Sequence, residues 1–354
     1  MCEAVQSQRL ADDKQRNMLW TSFTLLILGG AWWFWRTQSM HWGVLFNEGK
    51  SLHARGELAK ADLKLRESLD YALSRPTPNR ANVGANRVEL AKVLNRLGRL
   101  KEAEEFVSAG LEELETSLPP GAEDVTLGRL LFGDLCNDMG RFNEAERHFK
   151  EALGWEERSG NTGMQIVALQ RMCNLYIDLG RRKEALAVLD RCSALQQIIS
   201  HQSGQNGEAS PFLPETRLCE QKWEEASTLL RQRVESLERR GGSVGGSSEL
   251  PRYQRHLTTA QIALGDYENA AQTAQRMIEV SKRNFSPDHP CVATGLIQLA
   301  HVLAAGGRTE EARAAAGEAS AIYDAHQLTS HPAAMALRQM QTRTTHETTR
   351  QEPV

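Results

Sequence analysis

MGRFNEAERHFKEAL, residues Met139–Leu153, carries the marks of a helix end, a turn and a new helix start. Gly140 suits the left-handed residue that closes a helix, because it has no Cβ to clash there. Glu144 and Ala145 then open an amphipathic run with Phe149, Ala152 and Leu153 on one side, at the spacing of a buried helical stripe. Close relatives of the stretch follow Gly56, Gly98, Gly180, Gly265 and Gly307, and a degraded copy has Gln221 in the glycine's place. The hinges are separated by 42, 42, 40, 41, 44 and 42 residues, a period that marks a solenoid of helix hairpins. Five residues after each hinge stands an alanine (Ala61, Ala103, Ala145, Ala185, Ala226, Ala270, Ala312), small enough to let two helices approach closely.

Composition agrees with an all-α chain. In 354 residues the hydrophobic content is 40%, enough for a core, and aromatics are only 6%. Ala, Leu, Glu and Arg, all good helix formers, dominate. A net charge of −3 offers no basic footprint for nucleic acid. The six cysteines lie far apart with no C-x-x-C pair, so neither a zinc site nor a disulfide framework is expected. Cys136, Cys173 and Cys192 take inward positions of the repeat and read as packing residues, whereas Cys219 and Cys291 fall outside them and are expected to be the more reactive should the body lie in an oxidising compartment.

The repeats resemble the tetratricopeptide repeat family, in the forty-two-residue form found in kinesin light chain. The resemblance runs from about Trp42 to Ala325. It rests on Leu90, Ala91 and Leu94 before Gly98, on Phe132 and Gly133 before Gly140, and on Leu299, Ala300 and Leu303 before Gly307. The segment Ser286–Ala312 is the most kinesin-light-chain-like, whereas the family's Trp and Tyr positions are mostly lost, Tyr176 excepted. The resemblance implies a right-handed superhelical solenoid of about seven hairpins. It also implies a concave groove, lined by the first helix of each repeat, that holds a protein or peptide segment. Counted from each hinge, the groove positions are Asn47 and Lys50, then Glu89, Lys92 and Asn95, then Asp134 and Asn137, then Arg171 and Asn174, with Gln298 and His301 in the last repeat. Amides there can pair with a ligand's backbone while charges select its side chains. The mixture of Glu89 and Asp134 with cations does not reproduce the carboxylate-gripping set of chaperone-binding members.

Three segments stand apart. Met18–Trp35 holds eighteen residues without a charge, a helix of roughly 27 Å that just spans a bilayer, with Trp20 near one end and Trp32, Trp33 and Trp35 at the other. It reads as a transmembrane helix after a polar tail, 1–17. Gly29 and Ala31 also permit a cleaved signal peptide that releases an exported binding module. Arg9, Lys14 and Arg16 before the run, against Arg36 just after it, favour a cytoplasmic N-terminus and a translocated repeat domain. The fifth repeat is irregular near 197–222 and 239–250: Pro211 and Pro214 confine its first helix to Glu215–Gln221, and Gly/Ser-rich stretches flank it. Residues 326–343 suit a capping helix, and 344–354 a disordered tail.

No phosphate loop, H-E-x-x-H or G-x-S-x-G is present, so the expectation is a binding scaffold without catalytic residues, metal or cofactor, and with no small-molecule substrate. His148, on a repeat helix, reads as a half-exposed surface residue. An enzyme with a site in the irregular fifth repeat is the remaining alternative.

Overall fold

The computed structural model describes residues 42–203, 210–239 and 249–338. These residues form fifteen helices and no strand. In chain order they are α1 (42–54), α2 (Leu58–Leu73), α3 (Arg80–Arg96), α4 (Leu100–Ser117), α5 (Glu123–Asp138), α6 (Phe142–Ser159), α7 (Thr162–Asp178), α8 (Arg182–Ser203), α9 (Leu213–Cys219), α10 (Trp223–Arg239), α11 (Glu249–Ala263), α12 (Tyr267–Asn284), α13 (Pro290–Ala305), α14 (Thr309–Ala325) and α15 (332–338).

Each odd-numbered helix from α1 to α13 joins the next through one hinge. The hinge glycines all have positive φ, between 70° and 79°, and Gln221 takes the same conformation at 62°. The capping bonds repeat as well. At Gly140 the Arg141 N–H donates to Cys136 O at 2.8 Å and the Gly140 N–H to Asn137 O at 2.9 Å, the bond pair of a Schellman cap. The alanine five residues on is buried in every repeat, from 0% exposure in the first six to 8% at Ala312. On α6 the buried side chains are Ala145, His148, Phe149, Ala152, Leu153 and Glu156, one helical stripe, and α5 meets that stripe closely. A Cβ on Gly133 would lie 2.3 Å from Phe149 Cε1, so only glycine lets the ring lie flat on α5.

An ion ladder ties the first four repeats together. Arg99, Arg141 and Arg181, each just after its hinge, reach back to Asp62, Glu104 and Glu146 on the preceding hairpin and forward to Glu102, Glu144 and Glu184 on their own. The ladder stops at the fifth repeat, where α9 has only seven residues. Pro214 lies within the first turn of α9 rather than before it. The helix therefore begins at Leu213, since a proline in the first turn forfeits no helical hydrogen bond.

With α9 so short, α11 reaches α7 directly: Arg255 pairs with Asp178 at 2.7 Å. The last two hairpins turn in against the hinge ends of α3 and α5. Arg96 donates to Asn284 O at 2.8 Å, and the Ser286 N–H donates to Arg96 O at 2.8 Å. Lys101 donates to Gln327 Oε1 at 2.7 Å, and the His331 ring stands edge-on to Phe142 with centroids 5.9 Å apart. Leu328 packs against both the first and the last apolar clusters. The array thereby closes on itself.

Several expectations change. His148 is buried at 3% exposure and stacks on Phe132 with centroids 4.4 Å apart, because its position belongs to the α6 stripe. Cys219 is buried in the cluster of the third to fifth repeats, and burial raises its thiol to about 11. Cys291 is half-buried with its thiol pushed well above the usual range, so neither carries the reactive thiolate that the sequence suggested. The capping segment forms α15 over 332–338, with Ala334 and Leu337 in the last cluster. The apolar run Met18–Trp35, the tail before it, the end of the capping segment and the 344–354 tail lie outside the described residues. Among the described helices none is long and apolar enough to cross a membrane.

Candidate functional site

Closure turns the groove into a cavity of about 420 Å³. One wall comes from the hinge-proximal ends of α3, α5 and α7, the other from α11, the end of α12 and the start of α13. Successive first helices touch one another (α3 with α5, α5 with α7, α11 with α13), so their inward residues form a continuous lining.

Of the groove residues expected from sequence, Lys92, Asn95, Asp134, Asn137, Arg171 and Asn174 line this cavity. Glu89 sits behind it, buried between His53 Nδ1 at 2.9 Å and Lys92 Nζ at 2.9 Å. Burial opposes its charge, but these two partners win and hold its carboxyl down at about 2. Asn47 and Lys50 are exposed on α1, with the Lys50 ammonium 5.4 Å from the Phe46 ring centroid. Gln298 and His301, further along α13, are not part of the lining. Counting from the hinge places a residue along a helix but not relative to a distant repeat that folds over it.

The cavity also holds groups that the sequence reading missed. Arg96, Asp138 and Asp178 each stand two residues before a hinge, a register shared by three consecutive repeats that could have revealed them. Arg252, Arg255 and Cys291 come from the sixth and seventh repeats, and no local pattern announces their approach.

Charge inside is mixed and partly unsatisfied. Arg171 Nε lies 3.4 Å from Asp134, whose carboxyl burial pushes upward against that cation's pull. Asp138 is pushed up to about 7, by burial first and by repulsion from Asp134 second. Burial likewise raises Asp178 despite its pairing with Arg255. Arg96 is held by the main-chain oxygens of Asn284 and His53, at 2.8 and 3.2 Å. Asn137 Oδ1 and Arg252 Nε are buried without a hydrogen-bond partner. The lining thus presents amides, guanidinium donors and carboxyl acceptors within one enclosure.

Residues 129–159 and 254–325 match the Tetratricopeptide repeat family, covering the third hairpin and the sixth and seventh. No curated protein sequence matches the chain. Three solved structures share its fold at low identity. Aspartyl phosphate phosphatase F from Bacillus subtilis has 11% identity and a TM-score of 0.56, over 81% of this chain and 71% of its own. A Rap protein complexed with competence and sporulation factor has 13% identity and a TM-score of 0.52, over 88% of this chain and 100% of its own. The Rap conjugation gene regulator of the plasmid pLS20, in complex with a Phr peptide, has 12% identity and a TM-score of 0.52, over 84% of this chain and 77% of its own. The chain therefore carries tetratricopeptide repeats, matched directly in three of its hairpins, within an all-helical array.

Proposed function

We propose that the protein is a non-enzymatic scaffold that binds a peptide or an extended protein segment inside the closed groove. The observation that carries this reading is the cavity itself, where Asn95, Asn137 and Asn174 stand beside charges of both signs. An amide offers a donor and an acceptor at once, as an extended peptide's main chain requires. Arg171, Arg252 and Asp134 supply charges that discriminate among its side chains. The Rap structures of similar fold were solved with competence and sporulation factor and with a Phr peptide, which supports the same reading.

Photocrosslinking tests it. A crosslinker at Asn137 should capture a peptide or protein segment, and one at exposed Leu63 on α2 should not. Equal capture from both positions would overturn groove binding.

Membrane recruitment is the second part of the proposal and rests on the sequence of Met18–Trp35. The first described helix begins only a few residues after that run, so an anchor there would hold the groove near a bilayer. Removing residues 1–35 should move the protein from carbonate-washed membranes to the soluble fraction. Retention of the truncated chain in the membranes would overturn the anchor, and a mature chain beginning after Ala31 would establish the exported alternative.

A further inference from the structure

Where the array closes, three potential metal ligands converge from repeats far apart in sequence. Asp138 ends α5, His289 is the N-cap of α13 and Cys291 lies in its first turn. One ligand atom from each lies within 4.8 Å of the others. His289 is fully buried, Cys291 is half-buried, and Asp138 and Cys291 both line the cavity.

The cluster is under-satisfied as it stands. Among the described residues the one side-chain hydrogen bond to Asp138 comes from Asn95 Nδ2, at a long 3.4 Å. The same amide meets His289 Nε2 through its oxygen at 3.3 Å, so Asn95 spans the gap with two weak contacts. His289 Nδ1 accepts from the Cys291 N–H at 3.1 Å. Burial pushes both the carboxyl and the thiol toward their protonated forms, against the weaker pull of Arg255 on each and of Arg171 on Asp138.

We propose that Asp138, His289 and Cys291 form a binding site for one borderline divalent transition metal ion, Zn²⁺ or Co²⁺, with a fourth position open to the cavity. A set of one nitrogen, one oxygen and one sulfur ligand suits such an ion and not Mg²⁺ or Ca²⁺, which prefer all-oxygen shells. Charge supports the choice. On binding, the Cys291 thiol and the protonated fraction of Asp138 release their protons to solvent, and the resulting thiolate and carboxylate balance the two charges of the dication. The neutral complex avoids the cost of an uncompensated buried charge. His289 ligates as a neutral imidazole through Nδ1, whose lone pair now accepts from the Cys291 N–H and turns to the ion instead. Its Nε2–H keeps donating to Asn95 Oδ1, which orients the ring, as the second nitrogen of a ligating histidine usually does. Tetrahedral ligation at about 2.0–2.3 Å draws the three atoms somewhat closer than they now stand. The ion would then join α5 to the α12–α13 connection at the point where the array closes.

The test titrates the full-length, metal-depleted chain with Co²⁺ and follows its visible and near-ultraviolet absorption. One equivalent should bring tetrahedral d–d bands and a thiolate-to-cobalt charge-transfer band. Cys291→Ser should abolish the charge-transfer band, and Asp138→Asn should weaken binding by more than about 100-fold, since loss of an outer-shell partner alone costs 10–100-fold. Cys136→Ser, altering a buried cysteine elsewhere, should change neither. Circular dichroism of Cys291→Ser confirms that the array is intact, and Zn²⁺ should raise the Tm of the wild type but not of this variant. Absence of the charge-transfer band at one equivalent, or its persistence in Cys291→Ser, would overturn the assignment.

Discussion

At Gly140 two demands meet in one residue. Its φ is 77°, and a Cβ there would lie 2.6 Å from His331 Cδ2 and 2.9 Å from Pro332 Cδ. Gly180 has the same backbone conformation but nothing within 4 Å of the corresponding point. Gly180→Ala should therefore cost about 1–2 kcal/mol from the left-handed backbone alone. Gly140→Ala should cost about 1–3 kcal/mol more from the overpacked contact. Urea midpoints measure both, and equal losses would show that the segment after α14 is not seated on this hinge. Gln221 is the converse case: Gln221→Gly relieves the left-handed strain but frees the unfolded chain, for a net gain of about 0.5–1 kcal/mol. His148 adds a pH signature. Burial first, and the nearby Arg129, Arg147 and Arg141 second, lower it to about 4, so it stays neutral in the folded protein while the unfolded chain protonates below about 6.5. The contribution of His148 to stability should fall as pH drops from 6.5 toward 4, because the unfolded state binds the extra proton. His148→Leu should flatten part of that slope. His331, lowered to about 4, His289, lowered to about 3, and His256 and His301, all depressed by burial first, keep the rest, and an unchanged slope in the variant would count against a buried neutral His148.

Among the elements, hairpin and interface were legible to different degrees. Every hinge was readable from its glycine, and even Gln221 from its place in the period, because the Schellman cap and the alanine contact are local demands that recur in each unit. The arginine after the second, third and fourth hinges, Arg99, Arg141 and Arg181, recurs in the same register. Its meaning lay in the pairing with the preceding hairpin, which requires knowing that the hairpins stack in order. Glu146 shows the strength of that ladder. Burial works against its charge, but hydrogen bonds from Arg181, Lys150 and Tyr176 outweigh it and bring the carboxyl to about 2. The stabilisation is present above the unfolded value near 4.5 and is lost as pH falls toward 2. Glu146→Gln should accordingly reduce the loss of stability between pH 4.5 and 2, measured by urea unfolding at each pH. A slope identical to the wild type would mean that Arg181 does not couple the third and fourth hairpins. The short α9 was half-read: its prolines announced a break, yet Pro214 forms the first turn instead of preceding it.

Closure belongs to the whole molecule, and no window of the sequence contains it. Arg96 and Asn284 are brought together across most of the array, and the period that fixes each hairpin is silent on whether the stack stays open or turns back. Half of the candidate site depends on that turn, because Arg252, Arg255 and Cys291 reach the cavity only through it. The first-helix residues Asn95, Asn137 and Asn174 were legible because they repeat, and their opposite wall was not because it does not. Beside the apolar seat of Leu328 and the His331 ring on Phe142, the polar part of the junction is narrow: Arg96 with the Asn284 main-chain oxygen, the Ser286 N–H with Arg96 O, and Lys101 with Gln327. Opening it should therefore leave the hairpins themselves intact, since their apolar clusters lie mainly within and between neighbouring repeats. Arg96→Ala combined with Lys101→Ala should preserve helical content by circular dichroism while increasing the radius of gyration in solution scattering. Amide exchange should accelerate at Ser286, whose N–H bonds across the junction, and not within α6. An unchanged radius with unchanged exchange at Ser286 would show that the apolar contact of Leu328 with both end clusters holds the ring closed without the polar junction.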